Sequence, residues 1–569
     1  MDTKLFIDLL ANRSESKFEQ LPEKITEYMP KKEPTYDKDL GIIFRVLEPY
    51  YTKAAVDDVT TAMLNGEISS GTRWPRQMAE KICATYSVPV AFPTSSGASA
   101  LHVSLLCINV YQYEVIVPAL TMVAVANAVK LAGGIPIFAD CAKDNINPSL
   151  KEIKAKKSVR TKAVIVCHTY GIVCPEIREI AEYCKQENLP LIEDICECMG
   201  ARVDNHPEPR DPTVGRYLLA GAFGDFSCSS LYANKQITAG DGGWVHSISE
   251  EHAPRLKSLI NHGFDPAFHF LHFETAPNAK INGLGAAFLN SQIGENLHQQ
   301  VEKRHEIAFW YRKALWNEKL TAFNPEGTET ERTAALATAT SSSSGEDEED
   351  PTTATQTGED HMGESNSSLA APPAQEQGAQ QDDTNFLTPK SEATSKLENS
   401  QSGRLPPLFP LRGINEKTIM QNRCFFDAPW VFGIETKDQK TRDSLRQYLA
   451  EFGIESRNYF FPLHVQPVNY YEYARGVAGS YKAWEVELPH ALKFGSVGLY
   501  LPTHSFLEEE DVTYIVAVCK RFFFPPEEAA RNQHSTSEED KLFKELSTAR
   551  KKGWVDEKRS VLLGTKGSR

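Results

Sequence analysis

Between Tyr113 and Asn234, short apolar runs alternate with stretches of helical periodicity, and this alternation restricts the fold more than any other feature. "YEVIVPA", "IPIFADC", "KAVIVCHTYG" and "LPLIEDICE" read as strands. "TMVAVANAVKLAG", "SLKEIKAKK" and "PEIREIAEYCKQEN" read as the helices between them, and "ASALHVSLLCI" as a helix before the first. Strands at this spacing separated by helices form βαβ units, and βαβ units build a largely parallel sheet. Ligands of such sheets bind at the carboxyl ends of the strands. His168, Asp194 and Glu197 fall at those ends or just beyond. "DFSCSSLYAN" and "GGWVHSIS" read as further strands on either side of "KQITAGD", and "YYTKAAVDDVTTAMLNG", "EEHAPRLKSLINHG" and "GLGAAFLNSQIGENLHQQVEKRHEIAFWYRKAL" as helices.

The fold class this implies is α/β: a three-layer αβα large domain with a mostly parallel sheet, plus a smaller C-terminal α/β domain. Composition enters at the join. The chain's formal charge is −15. Residues 326–402 hold 16 Asp/Glu against 3 Lys/Arg, a net of −13, which leaves about −2 for everything else. A nearly neutral body gives no electrostatic reason to bind nucleic acid. The segment at 326–410 is Ser/Thr/Glu/Asp/Gln/Pro-rich and cannot bury enough apolar surface to fold, so it reads as a disordered acidic insert. Order resumes near "NRCFFDAPWVFGIET", with a helix at "DQKTRDSLRQYLAEFG". The expected divisions are an N-terminal extension (1–45), the large domain (46–305), the small domain (306–325 and 411–524) and a charged tail (525–569), read as an exposed helix or tail.

The 11 cysteines are scattered through apolar runs, which suits reduced thiols in a cytoplasmic setting. Cys196-x-Cys198 has no second Cys/His pair at zinc spacing, so no metal is expected. "MDTKLFIDLLANRSESKF" lacks the basic start and apolar core of a secretory signal. "VIVPALTMVAVANAVKLAGGIPIFA" is broken by Pro118, Asn127, Lys130 and a Gly-Gly-Ile-Pro turn, so it reads as strand, helix, strand rather than a membrane span.

Neither G-x-G-x-x-G after the first strand nor a P-loop is present. "TSSGASALHVSLL" is a Ser/Gly turn entering a helix, where free N–H groups and the helix dipole favour an anion. Asp194 closes an apolar strand, an expensive place for a carboxylate unless a cation pairs with it. Lys235 lies between Ser230 and a Gly-rich loop in "SLYANKQITAGDGG". A lysine that carries a carbonyl cofactor needs a desolvated site with room for a planar ring. Phosphate cradle, buried acid and later lysine, in that order on a βα scaffold, describe a site for pyridoxal 5'-phosphate.

The chain resembles the DegT/DnrJ/StrS sugar aminotransferases, fold-type I pyridoxal phosphate enzymes, and their perosamine-synthase-like branch in particular. The resemblance is carried by "SSGASALHVSLL", "CHTYG", "LIEDICECMGA", "GDFSCSSLYANKQITAGDGG", "NAKINGLGAAFLNSQIG" and "GIESRNYFFPLHVQP". It implies Lys235 as the Schiff-base lysine and proton shuttle, Asp194 as the partner of the pyridine nitrogen, and Glu197 beside the ring hydroxyl. Ser230 and Gly97, with Ala98, stand at the phosphate cradle. Asn278 matches a residue that reaches the phosphate of a neighbouring subunit, which implies a homodimer with shared sites. His168, Arg457 and His464 are the substrate candidates. The implied reaction transfers an amino group from glutamate to a nucleotide-linked 4-keto-6-deoxy sugar. Ala98, Met122 and Lys280 depart from the family pattern at positions that usually hold Thr, an aromatic and Arg. Two other readings are a sugar dehydratase, against which Lys235 argues, and a scaffold that has lost turnover.

Overall fold

A computed structural model describes residues 21–29, 33–34, 36, 41–204, 217–265, 267–268, 270–316, 425–426, 428–523 and 554–563. The insert expected at 326–410 lies outside the described residues. The chain divides into two units, Met1–Leu315 with Phe386–Arg569, and Trp316–Asn385. All elements below belong to the first.

Strands β1 (Val90–Thr94), β2 (Glu114–Pro118), β3 (Ile135–Ala139), β4 (Thr161–Cys167), β5 (Leu191–Asp194), β6 (Arg202–Asp204), β7 (Tyr217–Leu219), β8 (Phe226–Ser230) and β9 (Gly243–Ser247) follow in chain order. Seven make the central sheet, in the order β1-β9-β8-β5-β4-β2-β3. The β5–β8, β4–β5, β2–β4 and β2–β3 pairings are parallel, and β9 runs antiparallel to both its neighbours.

Alternation along β2 explains the layers. Val115 and Val117 enter one apolar core, and Ile116 enters the other, on the opposite face of the sheet. Helices α1 (Lys53–Leu64), α2 (Arg73–Tyr86), α3 (Gly97–Ile108), α4 (Ala124–Leu131), α5 (Leu150–Lys156) and α6 (Ile177–Gln186) supply the covering layers. From α2, Trp74, Met78 and Ile82 pack beneath Ile116, Val164 and Val166; from α3, Leu101, Val103 and Leu105 join the core of Val115 and Val117. Ser96 caps α3 by accepting from the Ser99 N–H at 3.0 Å, so the Ser/Gly turn is a true helix start. Sequence patterning did not single out β1, whose Pro93 interrupts the strand signal. Its place at the sheet's edge explains how the proline is accommodated.

Beyond the insert, β10 (Phe425–Phe426) pairs with β6, and β11 (Phe432–Glu435), β12 (Arg457–Asn458) and β13 (Gly498–Leu501) form a separate antiparallel sheet. Leu445 and Leu449 of the helix Gln439–Glu451 and Ile515 and Val518 of the helix Glu509–Phe523 share its core. Phe44, well before the large sheet, is buried in that same core, and Trp554 packs beside it at 6.1 Å between rings. The Trp554 indole N–H donates to the Ile43 carbonyl at 3.1 Å. The C-terminal tail contains a helix, Trp554–Leu562, whose first two residues, Trp554 and Val555, are buried. Two apolar residues at its start outweigh the charged average of the segment.

Candidate active site

The carboxyl ends of β5 and β8, the start of α3 and the loop after β8 converge. Asp194 ends β5, with the Cys196 N–H donating to Oδ1 at 2.9 Å and the Cys167 thiol lying 3.8 Å from Oδ2. Ser230 ends β8, where its hydroxyl accepts from the Tyr232 N–H at 3.3 Å. Gly97 opens α3 against both. A Cβ there would stand 2.8 Å from Cys196 Sγ and 2.9 Å from Ser230 Cβ, so only glycine permits this approach. Ala98 is exposed beside it, while the Ser99 hydroxyl is tied to the hydroxyls of Ser95 and Ser96 at 3.0 and 2.9 Å.

Lys235 sits in the loop after β8 and is only 9% exposed. Its Nζ lies 3.4 Å from Glu197 Oε1 and 3.9 Å from the centre of the Trp430 ring. Glu197 also accepts at Oε2 from the Tyr170 N–H at 2.8 Å. Burial pushes the Glu197 carboxyl up, against the pull of Lys235 and the Tyr170 N–H. Tyr170 holds φ of 62°, a left-handed conformation stabilised from several sides. Its hydroxyl accepts from the Phe460 N–H at 2.5 Å and its ring lies 4.8 Å from Tyr459 and 5.0 Å from Phe460. The Gln236 amide fastens the lysine loop, donating to the Glu197 carbonyl at 2.7 Å.

Lys235, Glu197, Asp194, Ser230 and Gly97 are thus brought together at the carboxyl ends of β5 and β8. The residues suit pyridoxal phosphate: a close-fitting glycine at a helix start for the phosphate, a buried carboxylate held by one backbone N–H and a thiol, and a desolvated lysine.

The substrate candidates are placed differently. His168 points to the other face of β5, where its Nε2–H donates to Glu193 Oε2 at 3.1 Å and its Nδ1 accepts from the Cys174 N–H at 3.0 Å. Both ring nitrogens are committed, so His168 is part of the scaffold. Glu193 also accepts from the N–H groups of Gly221, Phe223 and Gly224 at 2.9, 2.6 and 2.7 Å. Burial pushes the Glu193 carboxyl up, but His168 and these amides outweigh it and the net shift is downward. Arg457 is half-exposed and forks onto Glu455 Oε1 at 3.0 and 2.8 Å. His464 is fully buried in the turn Leu463–Val465, its ring nitrogens without a polar partner among the described residues. Asn278 is exposed, on a segment that bridges to Asn261. Met122 is 47% exposed, and the Lys280 ammonium donates to Asn261 Oδ1.

Two site residues escaped the sequence reading. Trp430 follows Lys235 only after the insert, so no local spacing links them. Arg304 is fully buried in the helix Glu295–Trp316 and donates to the Trp430 carbonyl at 2.6 Å and the Lys235 carbonyl at 3.5 Å. Burial pulls its guanidinium down to about 10.

Among the described residues no His/Cys/Asp/Glu group is arranged to hold a metal ion, the ten cysteines are free thiols, and no helix is long and apolar enough to cross a membrane.

The chain is similar to known proteins in sequence and in fold. The chain is 31% identical over 252 residues to a GDP-perosamine synthase of Vibrio cholerae, an alignment spanning 44% of this chain and 65% of that protein. It is 30% identical over 271 residues to the GDP-perosamine synthase of Escherichia coli O157:H7, spanning 48% of this chain and 71% of that one. The fold matches a putative sugar aminotransferase of Streptococcus pneumoniae, solved in its PLP form, with a TM-score of 0.57 and 16% identity, covering 84% of this chain and 99% of that one. The sequence profile of the DegT/DnrJ/EryC1/StrS aminotransferase family matches residues 49–393, and the chain belongs to that family.

Proposed function

We propose that the protein is a pyridoxal-phosphate-dependent aminotransferase that moves an amino group from glutamate to the keto group of a nucleotide-linked 4-keto-6-deoxy sugar. The observation that carries this reading is the buried Lys235 ammonium held by Glu197 beside Asp194, Ser230 and Gly97. Relatives named as GDP-perosamine synthases support the sugar class.

When bound, pyridoxal phosphate supplies a conjugated ring that takes up the electron pair released at a substrate carbon. The Gly97 N–H and the Ser230 hydroxyl hold its phosphate, aided by the N-terminal end of α3. Asp194 holds a proton at the ring nitrogen. Glu197 accepts a hydrogen bond at the ring hydroxyl. Lys235 would hold the cofactor between turnovers, and its freed amine would take the proton from the α-carbon of the amino donor as base and pass it to the cofactor as acid. The Tyr170 ring, buried against Tyr459 and Phe460, keeps water from the floor of the site.

Asn278 reaches the phosphate of a second copy in this reading. The exposed Phe268, Phe270, Leu271 and Phe273 of the same loop region supply apolar surface for that contact. The working location is cytoplasmic.

Borohydride reduction of the cofactor-loaded protein followed by peptide mapping tests the assignment. The added mass is expected on the peptide containing Lys235 and is lost in Lys235→Ala, together with turnover. A label on another lysine, or an active Lys235→Ala protein, contradicts it.

A further inference from the structure

Trp430 takes no part in the chemistry above, yet it touches both Lys235 and the backbone of Tyr170. Its indole face lies 3.9 Å from Lys235 Nζ, on a buried ammonium. Its indole N–H donates to the carbonyl of Asn234, the neighbour of Lys235, at 2.9 Å. Its backbone N–H donates to the Tyr170 carbonyl at 3.0 Å, and the Tyr170 N–H donates to Glu197 at 2.8 Å. Glu197 returns to Lys235 at 3.4 Å. The circuit is closed: lysine, indole, tyrosine backbone, carboxylate, lysine. Arg304 clamps it from behind through the carbonyls of Trp430 and Lys235. The approach of this segment is fixed by Gly171, at φ of 85°, where a Cβ would stand 2.0 Å from the Ala428 carbonyl oxygen.

We propose that Trp430 is the positioning residue of Lys235: its ring face and its main chain hold the ammonium and the counter-ion Glu197 in one arrangement. A desolvated ammonium over an indole face is attracted to it more strongly than an exposed one, which favours one rotamer of a flexible four-carbon stem. Glu197 and the Cys196 thiol face the ammonium, and Asp194, the last residue of β5, and the phenols of Tyr170 and Tyr500 face Glu197 in turn. This inference rests on Lys235 being the cofactor lysine.

The test has two parts. The first uses cofactor-free protein and urea unfolding of Trp430→Leu, Lys235→Met and the double variant. The shift in midpoint caused by Trp430→Leu is expected to fall by about half when Lys235 is already Met, because the cation it held is gone. Additive shifts overturn the proposal. The second measures the glutamate half-reaction. Trp430→Leu is expected to lower kcat about tenfold with KM changed less than twofold, and Trp430→Phe, which keeps a ring face, to recover most of the loss. An unchanged kcat in Trp430→Leu, or a Phe variant no better than Leu, also overturns it. If wild-type protein gives no glutamate half-reaction, the aminotransferase reading fails, and the unfolding cycle still decides whether Trp430 holds Lys235.

Discussion

Single residues of the candidate site divide into those proposed from the sequence and those that only the fold reveals. Lys235, Asp194 and Gly97 were proposed together, from a glycine opening a helix, a carboxylate at the end of an apolar strand and a later lysine before glycines, in that order. Trp430 and Arg304 were not, because an aromatic or a cation far along the chain carries no local sign of its partner. His168 shows the opposite failure. A histidine at a strand end suggests chemistry, yet the alternation of side chains along β5 puts its partner Glu193 and Asp194 on opposite faces. Gly97 gives a residue-scale prediction. Gly97→Ala forces a methyl against Cys196 and Ser230, and should weaken pyridoxal phosphate binding at least tenfold while costing about 1–3 kcal/mol of stability. Titration of the cofactor into the variant, followed by absorbance, checks it; binding as tight as wild type means the phosphate lies elsewhere.

At the scale of elements, the parallel strands and their helices were readable from periodicity, because each strand is buried on both faces and bounded by turn residues. The edge strand β1 with its proline and the two-residue strands β10 and β12 were not, since their pairing is set by distant partners. The buried His168–Glu193 pair is where such long-range order is concentrated. One carboxylate ties β5 to β4 through the histidine and to the 221–224 turn through three amides. Glu193→Ala leaves those donors unpaired and should destabilise the protein by about 3–5 kcal/mol, read as a lower urea midpoint. A midpoint shift worth less than about 1 kcal/mol would show that water satisfies the amides instead.

For the whole molecule, the sequence separated an ordered α/β body from an acidic insert but did not show how the ends of the chain are used. Phe44 and Trp554 share one core because two short apolar stretches, too brief to signal structure alone, meet on the second sheet. The body as a whole should be acid-sensitive. His246 donates through Nε2 to the Gly221 carbonyl at 2.8 Å and accepts at Nδ1 from the Trp244 indole at 3.1 Å, which requires a neutral ring. Burial lowers His246 to about 4, and His464 and His504 to about 3, from 6.5. These folded-state values lie below the unfolded one, so the contribution of each histidine is complete above pH 6.5. It is lost as the pH falls to about 4 for His246 and to about 3 for the other two. Urea unfolding across that range should show stability falling with pH, and His246→Gln should flatten the slope by about one proton. A slope unchanged in that variant would contradict the assignment. The central claim is that Lys235 serves an amino-transfer site, and the absorption spectrum of the protein with pyridoxal phosphate, before and after glutamate, tests it most directly. The account predicts a yellow protein that bleaches with glutamate and a Lys235→Ala variant that forms no such band. A wild-type protein that stays colourless, or a Lys235→Ala variant that is yellow and bleaches equally, would contradict it.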